Sequence, residues 1–464
     1  MKTSPLTRRH FVKSAAVAAG AAALSAKSYS AVAGANGRVH LAVIGFGLMG
    51  RVHARNFHDL PNARIVAVAD TYQLRLDAAR MLAGSDAAYH RDFRRVLDDK
   101  NVDAVVVATP DHWHSLMTMM ACANGKDVYC EKPLTHTVRE GRWMIDVAAR
   151  HKRVVQVGTQ QRSGAHYRTA KDLLLGGAIG EVVSVECNFF RNVSPGIGNP
   201  PDSLPPPELD YDLWLGPAPL RPYNPNRAIY HFRWFWDYSG GQMTNLGHHS
   251  LDIVHWIFGI KGPRSVTSTG GRFFLKDNGE VPDVQNTFIE YPRFPAVVQI
   301  RECASGGAVS ATRPLAFLGT KGTLLLGRDG YEVLPDKKVN PVNSFARIFG
   351  GHPVGGPQPV PDKEGEMWSQ AMKDKSGDWK SQLVEHAKNF VDCVKSRTTP
   401  NSDLESSHQV SATCHLANLS LKLGRKLRWD EATEDVIGDK EASALLSRAY
   451  RAPWDQELKA LGVG

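Results

Sequence analysis

The sequence predicts an α/β fold built on a parallel sheet, and three observations carry that prediction. From Arg38 onward, short apolar runs rich in β-branched residues alternate with helical stretches, the pattern of strand–helix–strand units. A glycine-rich hexapeptide, Gly45-Phe46-Gly47-Leu48-Met49-Gly50, joins the first apolar run to the first helix. A second apolar run, Ile65-Val66-Ala67-Val68-Ala69, ends in an acid, Asp70, about 20 positions after the glycines.

The elements follow in chain order. The strand over Val39–Ile44 delivers the chain to Gly45, which permits a tight turn. Gly47 lets backbone approach a pyrophosphate, and Gly50 lets the helix pack closely on the strand, with Met49 beside them. The helix start then offers unpaired N–H groups and a positive dipole end to phosphates. This is a dinucleotide-binding Rossmann arrangement. Asp70 is placed to bind an adenosine ribose 2′-OH and to repel a 2′-phosphate, which favours NAD; Arg75 lies near enough to leave NADP open. A further strand over Val102–Ala108 ends in Thr109-Pro110-Asp111-His112-Trp113-His114. Ligands in such sheets bind beyond the carboxyl ends of the strands, so Thr109, Pro110, Trp113 and His114 are cofactor candidates. Trp113 either stacks on the cofactor or packs beneath the loop. The next strand, Asp127–Cys130, runs into Glu131-Lys132-Pro133, and Glu131 and Lys132 join the candidates.

Ahead of this domain, residues 1–33 read as a twin-arginine export signal. Arg8-Arg9 precede Phe11 and Lys13, an alanine-rich run follows, and Ala31-Val32-Ala33 forms a small-residue cleavage pattern. The apolar run falls short of the roughly 20 strongly apolar residues a bilayer span needs. The net charge of +9 invites a nucleic-acid partner, but Lys2, Arg8, Arg9, Lys13 and Lys27 all lie in the leader, leaving +4. Nucleic acid is therefore not expected as a partner, and no membrane span is expected in the mature chain. The six cysteines lack metal-type spacing and read as buried thiols.

The glycine loop, Asp70, the Thr109–His114 loop, Glu131-Lys132-Pro133 and the later Gly240–Asp252 segment occur in the order found in the Gfo/Idh/MocA family of oxidoreductases. The chain resembles that family from about Arg38 to about Trp429. The resemblance implies a Rossmann domain over residues 38–158 and a C-terminal α/β domain over 159–430. The second domain would hold a large, mostly antiparallel open sheet that usually forms a subunit interface, so a homo-oligomer is expected. Residues 431–464 are left as a tail. The resemblance also places Lys132 beside the nicotinamide and the reacting hydroxyl of a sugar or polyol, with a Lys132–Pro133 bond that is often cis. Physically, an ammonium there would stabilise alkoxide character as hydride leaves, and burial would lower its own pKa.

Apolar spacing through Ile253, Val254, Trp256 and Ile257 predicts a helix, on which Asn245 and His249, four apart, share a face. The family commonly has Asp at the first of these positions and a proton-accepting His at the second. This chain keeps His249 but has Asn245, and an amide supplies no charge to raise imidazole basicity. The departure shifts the burden onto Lys132. A metal site built from His248, His249, Asp252 and His255 is disfavoured, because adjacent histidines on a helix point apart.

Between the halves, the Pro-rich span from Ser194 to Asn226 reads as an ordered lid or interface arm. The aromatic stretch after it, with Arg233 and Trp236, suits a carbohydrate or a core; Gln160, Arg162 and His248 are further substrate candidates. Residues 340–380 read as loop or insertion. The leading expectation is an exported oxidoreductase that moves hydride between a tightly held nicotinamide cofactor and a sugar, sugar derivative or polyol. The alternatives are a redox-neutral glycoside hydrolase or lyase working through a keto-sugar, and a non-catalytic NAD- and sugar-binding protein.

Overall fold

The computed structural model describes residues 37–84, 86–305, 314–338 and 366–464. The expected export signal, and residues 340–365 of the expected insertion, lie outside the described residues.

The N-terminal sheet contains β1 (Val39–Ile44), β2 (Ala63–Ala69), β3 (Ala88–His90), β4 (Ala104–Val107), β5 (Asp127–Cys130) and β6 (Val155–Val157). Its order is β3-β2-β1-β4-β5-β6, with every pairing parallel. Helices cover both faces of such a sheet, so its strands need apolar residues on both sides. The four residues of β4 are all fully buried, as that demands. The strand order reverses between β1 and β4, and the crevice beyond their carboxyl ends is where a ligand binds.

The second sheet contains β7 (Val182–Phe190), β8 (Ser265–Gly271), β9 (Val284–Glu290), β10 (Pro295–Arg301), β11 (Leu315–Gly319), β12 (Gly322–Gly327), β13 (Gly330–Pro335), β14 (Met372–Asp374), β15 (Leu427–Asp430) and β16 (Asp435–Val436). They run in the order β14-β13-β12-β11-β7-β10-β9-β8-β15-β16, antiparallel throughout except for the parallel β7–β10 pair. One face is buried under the helices His248–Phe258 and Leu404–Leu423. Among the described residues the other is open, so β9 alternates, with Gln285, Thr287 and Ile289 buried and Phe288 and Glu290 exposed.

The domain division needs a correction. Helix Trp379–Ser396 packs Ala387, Phe390, Val391 and Val394 into the core beneath β1 and β2. Tyr450, Trp454 and Leu458 pack into the core on the other face of the same sheet. Residues 431–464 are thus no tail: β16, two short helices and three buried anchors fold them onto both domains. Isolated aromatics and leucines in a short, polar stretch carry no periodic signal, so the sequence pattern does not mark these anchors.

The Pro-rich span is ordered and has its own small core, in which Leu209, Trp214, Leu215 and Ala218 meet Phe232, Phe235 and Tyr238. It does contain one helical turn, Tyr211–Leu215, started by Asp210, whose side chain accepts from Leu213 N.

Candidate active site

The three glycines do separate jobs. Gly45 has φ of +88°, and a Cβ there would lie 2.7 Å from the Ala108 carbonyl oxygen. A Cβ on Gly50 would fall 1.8 Å from the Gly45 carbonyl oxygen, so only glycine lets the helix start this close to the strand. Gly47 instead keeps backbone bare beneath Arg75, whose guanidinium would stand 3.4 Å from a Cβ. These features fit a dinucleotide: bare backbone at a helix start, with a guanidinium above it.

A cleft of about 540 Å³ runs from this loop into the second domain. Gly47, Met49, Arg75, Thr109, Pro110 and His114 line it on the nucleotide side, and Lys132, Gln160, Asn245, His249 and Arg233 on the other. A smaller pocket of about 50 Å³ adjoins it, lined by Gly45, Asp70, Arg75, Trp113 and Trp214 among others. Asp70 accepts from Phe46 N at 2.6 Å and Tyr72 N at 2.9 Å, and Arg75 stands 3.7 Å away. Burial pushes its carboxyl up, against the pull of Arg75 and the two backbone N–H groups.

Lys132 sits at the end of β5, half-buried at the cleft wall, and its bond to Pro133 is cis. Its ammonium donates to Asn245 Oδ1 at 2.7 Å and to the Asn245 carbonyl at 3.3 Å. Asn245 Nδ2 in turn donates to Gln242 Oε1 at 3.0 Å, and Gln242 Nε2 donates to Glu302 Oε1 at 2.9 Å. Arg191 clamps Glu302 from the far side. Every donor in this chain points from Lys132 toward Glu302, which fixes both amide orientations. Burial lowers the Lys132 pKa to about 8, Glu131 opposing and Arg233 assisting. Glu131 itself accepts from Lys132 N and Gln160 and meets His53 Nε2 at 2.7 Å. Burial would raise its carboxyl, but His53 and Lys132 outweigh that and hold it below the usual range.

Asn245 and His249 both line the cleft, yet not as paired members of one regular helix. Residues Met243–Gly247 form a π-helical turn, and the α-helix begins at His248. The amide of Asn245 is spent on Lys132 and Gln242, and His249 Nδ1 is buried without a hydrogen-bond partner among the described residues. Burial, with Lys132 and Arg328 adding repulsion, holds the imidazole well below its ordinary pKa. It is a neutral acceptor, but a weak one.

Four candidates turn away from the cleft. Arg162 is buried in a bidentate ion pair with Asp252, at 2.6 and 2.9 Å, because a guanidinium so deep needs a carboxylate. His248 faces Ser411 Oγ at 3.2 Å, away from the cleft that His249 lines. Trp236 lies under the Lys422 ammonium, 3.8 Å from its ring centre, and it is Trp234, two residues earlier, that lines the cleft. Trp113 packs against Phe93 and Trp454 and donates its N–H to the Trp214 carbonyl at 3.0 Å, so it is core, with only an edge on the small pocket. His114 lines the cleft while its two ring nitrogens meet the Pro133 and Thr109 carbonyls at 2.7 and 2.9 Å. Gln242, Glu302, Arg191 and Arg328 were missed. Gln242 sits inside the Gly240–Asp252 motif and was within reach; Glu302 follows β10 and arrives only through sheet topology.

Family models match this architecture. That for the Gfo/Idh/MocA oxidoreductase family, NAD-binding Rossmann fold, covers residues 39–159, and that for its C-terminal alpha/beta domain covers 171–269 and 373–456. The chain belongs to the Gfo/Idh/MocA oxidoreductase family. As a member it carries a Rossmann domain for a nicotinamide dinucleotide. Among its relatives, the myo-inositol 2-dehydrogenase of Thermotoga maritima is 24% identical over 86% of this chain and 100% of its own length. Inositol 2-dehydrogenase 1 of Saccharopolyspora erythraea is 38% identical over 32% of this chain, a match that spans 45% of that relative. The WlbA dehydrogenase from Bordetella pertussis, solved with NADH and UDP-GlcNAcA, shares the fold with a TM-score of 0.60 at 18% identity, over 85% of this chain and 99% of its own.

Proposed function

We propose that the protein is an exported dehydrogenase that moves hydride between a tightly held nicotinamide cofactor and a hydroxyl-bearing carbon of a sugar, sugar derivative or polyol. The observation that carries this reading is the placement of Lys132, at a strand end beside the nucleotide side of the cleft, with its ammonium hydrogen-bonded to Asn245. The inositol dehydrogenases among the relatives support a polyol.

The glycine loop and Arg75 would hold the pyrophosphate, Asp70 the adenosine ribose, and Thr109 and Pro110 the stretch between. When bound, the cofactor supplies the hydride acceptor. Lys132 does the proton work. Two of its three ammonium hydrogens face Asn245 oxygens, which leaves one for the substrate oxygen. With a pKa near 8 it is close to the value at which a group both takes and returns a proton at neutral pH. His249, being neutral, accepts a second substrate hydroxyl and orients it.

Tight retention is supported by the Pro-rich span. Its Glu208 carbonyl accepts from Gln73 N at 3.0 Å, and Asp210 N donates to the Thr71 carbonyl at 2.9 Å. These contacts pin the second domain to the residues just after Asp70. Export is supported by the paired arginines and small-residue pattern of residues 1–33, and by folding before transport that a loaded cofactor requires. A homo-oligomer is supported by the open face of the ten-stranded sheet.

The test is to purify the full chain, release and identify its cofactor, and follow nicotinamide absorbance with polyols and aryl glycosides. Polyol-dependent reduction that falls about 10²–10⁴-fold in Lys132→Ala is the expected result. Aglycone release without net reduction would instead identify a redox-neutral hydrolase.

A further inference from the structure

The cleft is unbalanced in a way that speaks to substrate charge. Four carboxylates line it, and all four are engaged. Glu302 is held by Arg191 and Gln242, and Glu131 by His53, Gln160 and the Lys132 backbone. Asp277 is held by Arg272 and by the N–H groups of Ile197 and Gly279, and Asp111 by the Ser239 hydroxyl. The amide of Asn245 is committed at both ends.

The cations lining the cleft outnumber these. Arg233 makes no ion pair or hydrogen bond among the described residues; it stacks over Phe232, 4.7 Å from the ring centre, and adds attraction to the buried Asp111 carboxylate. Arg328 lies in the turn between β12 and β13, its carbonyl anchored by Gln382, and its guanidinium is likewise without a partner among the described residues. Both lie near enough to Lys132 to oppose its ammonium, and Arg328 also opposes a charge on His249. A neutral polyol accepts at its hydroxyl oxygens but leaves the surplus positive charge uncompensated. An anionic group gains charge-assisted, potentially bidentate hydrogen bonds.

We propose that the substrate is an anionic sugar or polyol, its acid group bound by Arg233 and Arg328 while the reacting hydroxyl meets Lys132. The assignment rests on the dehydrogenase reading and deepens it to a substrate class. The shared chemistry is a carboxylate or a phosphate on a polyhydroxylated carbon chain.

The test is calorimetric titration of the full, NAD-loaded protein with matched probes: glucuronate, gluconate and glucose 6-phosphate against glucose and sorbitol. The expected result is that at least one acidic probe binds 10-fold or more tighter than its neutral partner. That preference should shrink to less than about 3-fold in Arg233→Gln/Arg328→Gln, and in Arg328→Gln alone, whose exposed turn position spares the fold, it should fall by an intermediate amount. Which acid wins separates carboxylate from phosphate. Equal or tighter binding of the neutral probes, binding by none of the acids, or a preference untouched by both variants overturns the proposal. The dehydrogenase reading fails differently: the protein then holds no nicotinamide, or holds it and oxidises no polyol of either charge.

Discussion

Lys132 is legible through the family resemblance, which its place at a strand end just past a nucleotide-binding sheet supports. Its partner is not. A regular helix puts residues four apart on one face, which pairs Asn245 with His249 on paper; the π-helical turn at Met243–Gly247 hands the Asn245 amide to Lys132 instead. Such a turn leaves no mark in a 3.6-residue pattern. Residue type also suggests substrate contacts at Arg162, His248 and Trp236, but burial gives the first two protein partners and Trp236 lies under the Lys422 ammonium. The charge at position 245 gives a sharp prediction. If deprotonated Lys132 accepts the proton in oxidation, as proposed above, kcat/KM should rise with pH through about 8. In Asn245→Asp a carboxylate at this distance stabilises the ammonium, and the midpoint should move alkaline by about one to three pH units. A pH–rate profile of both proteins checks it; a midpoint that stays put or moves acid removes Lys132 as the titrating group.

At the scale of elements, the glycine loop and the parallel strands were readable because parallel sheets demand continuous apolar runs and a nucleotide turn demands glycine at fixed spacing. The Pro-rich span was readable only as ordered and irregular, since proline says where a chain will not be helix interior or central strand but not what it packs against. The loop's tolerance is quantifiable. In Gly50→Ala the new methyl would meet the Gly45 carbonyl carbon at 2.9 Å and its oxygen at 1.8 Å, so the helix must retreat from the strand. The purified variant should carry at least about 10-fold less cofactor per chain, a loss of about 1.4 kcal/mol or more in binding. Cofactor content measured after denaturation decides it, and near-full occupancy would show that the loop does not set the affinity.

On the scale of the whole molecule, one surface is expected from the family resemblance and one is not. The open sheet face carries Phe288, 56% exposed on β9. If it is a subunit interface, Phe288→Lys should convert the protein to smaller species in light scattering at micromolar concentration, with the far-ultraviolet dichroism kept. The unforeseen surface is the return of the C-terminal segment to the nucleotide-binding domain. Trp454, 3% exposed, fills the space between Phe93, Trp113 and the Arg94 guanidinium. Trp454→Ala should cost about 3–5 kcal/mol of stability in chemical denaturation. It should also loosen Trp113, which edges the small pocket beside Asp70, so nucleotide retention should weaken along with stability.

That return has a consequence for the order in which the protein is made. The nucleotide-binding domain is finished by residues far downstream of it: β1 emerges about 400 residues before Trp454 does, and the sheet's two helical coverings are incomplete until the segment from Trp379 to Leu458 has left the ribosome. A nascent N-terminal half therefore lacks part of the core that underlies its nucleotide-binding sheet. A transport route that threads chains as they are made would meet this protein before its cofactor did.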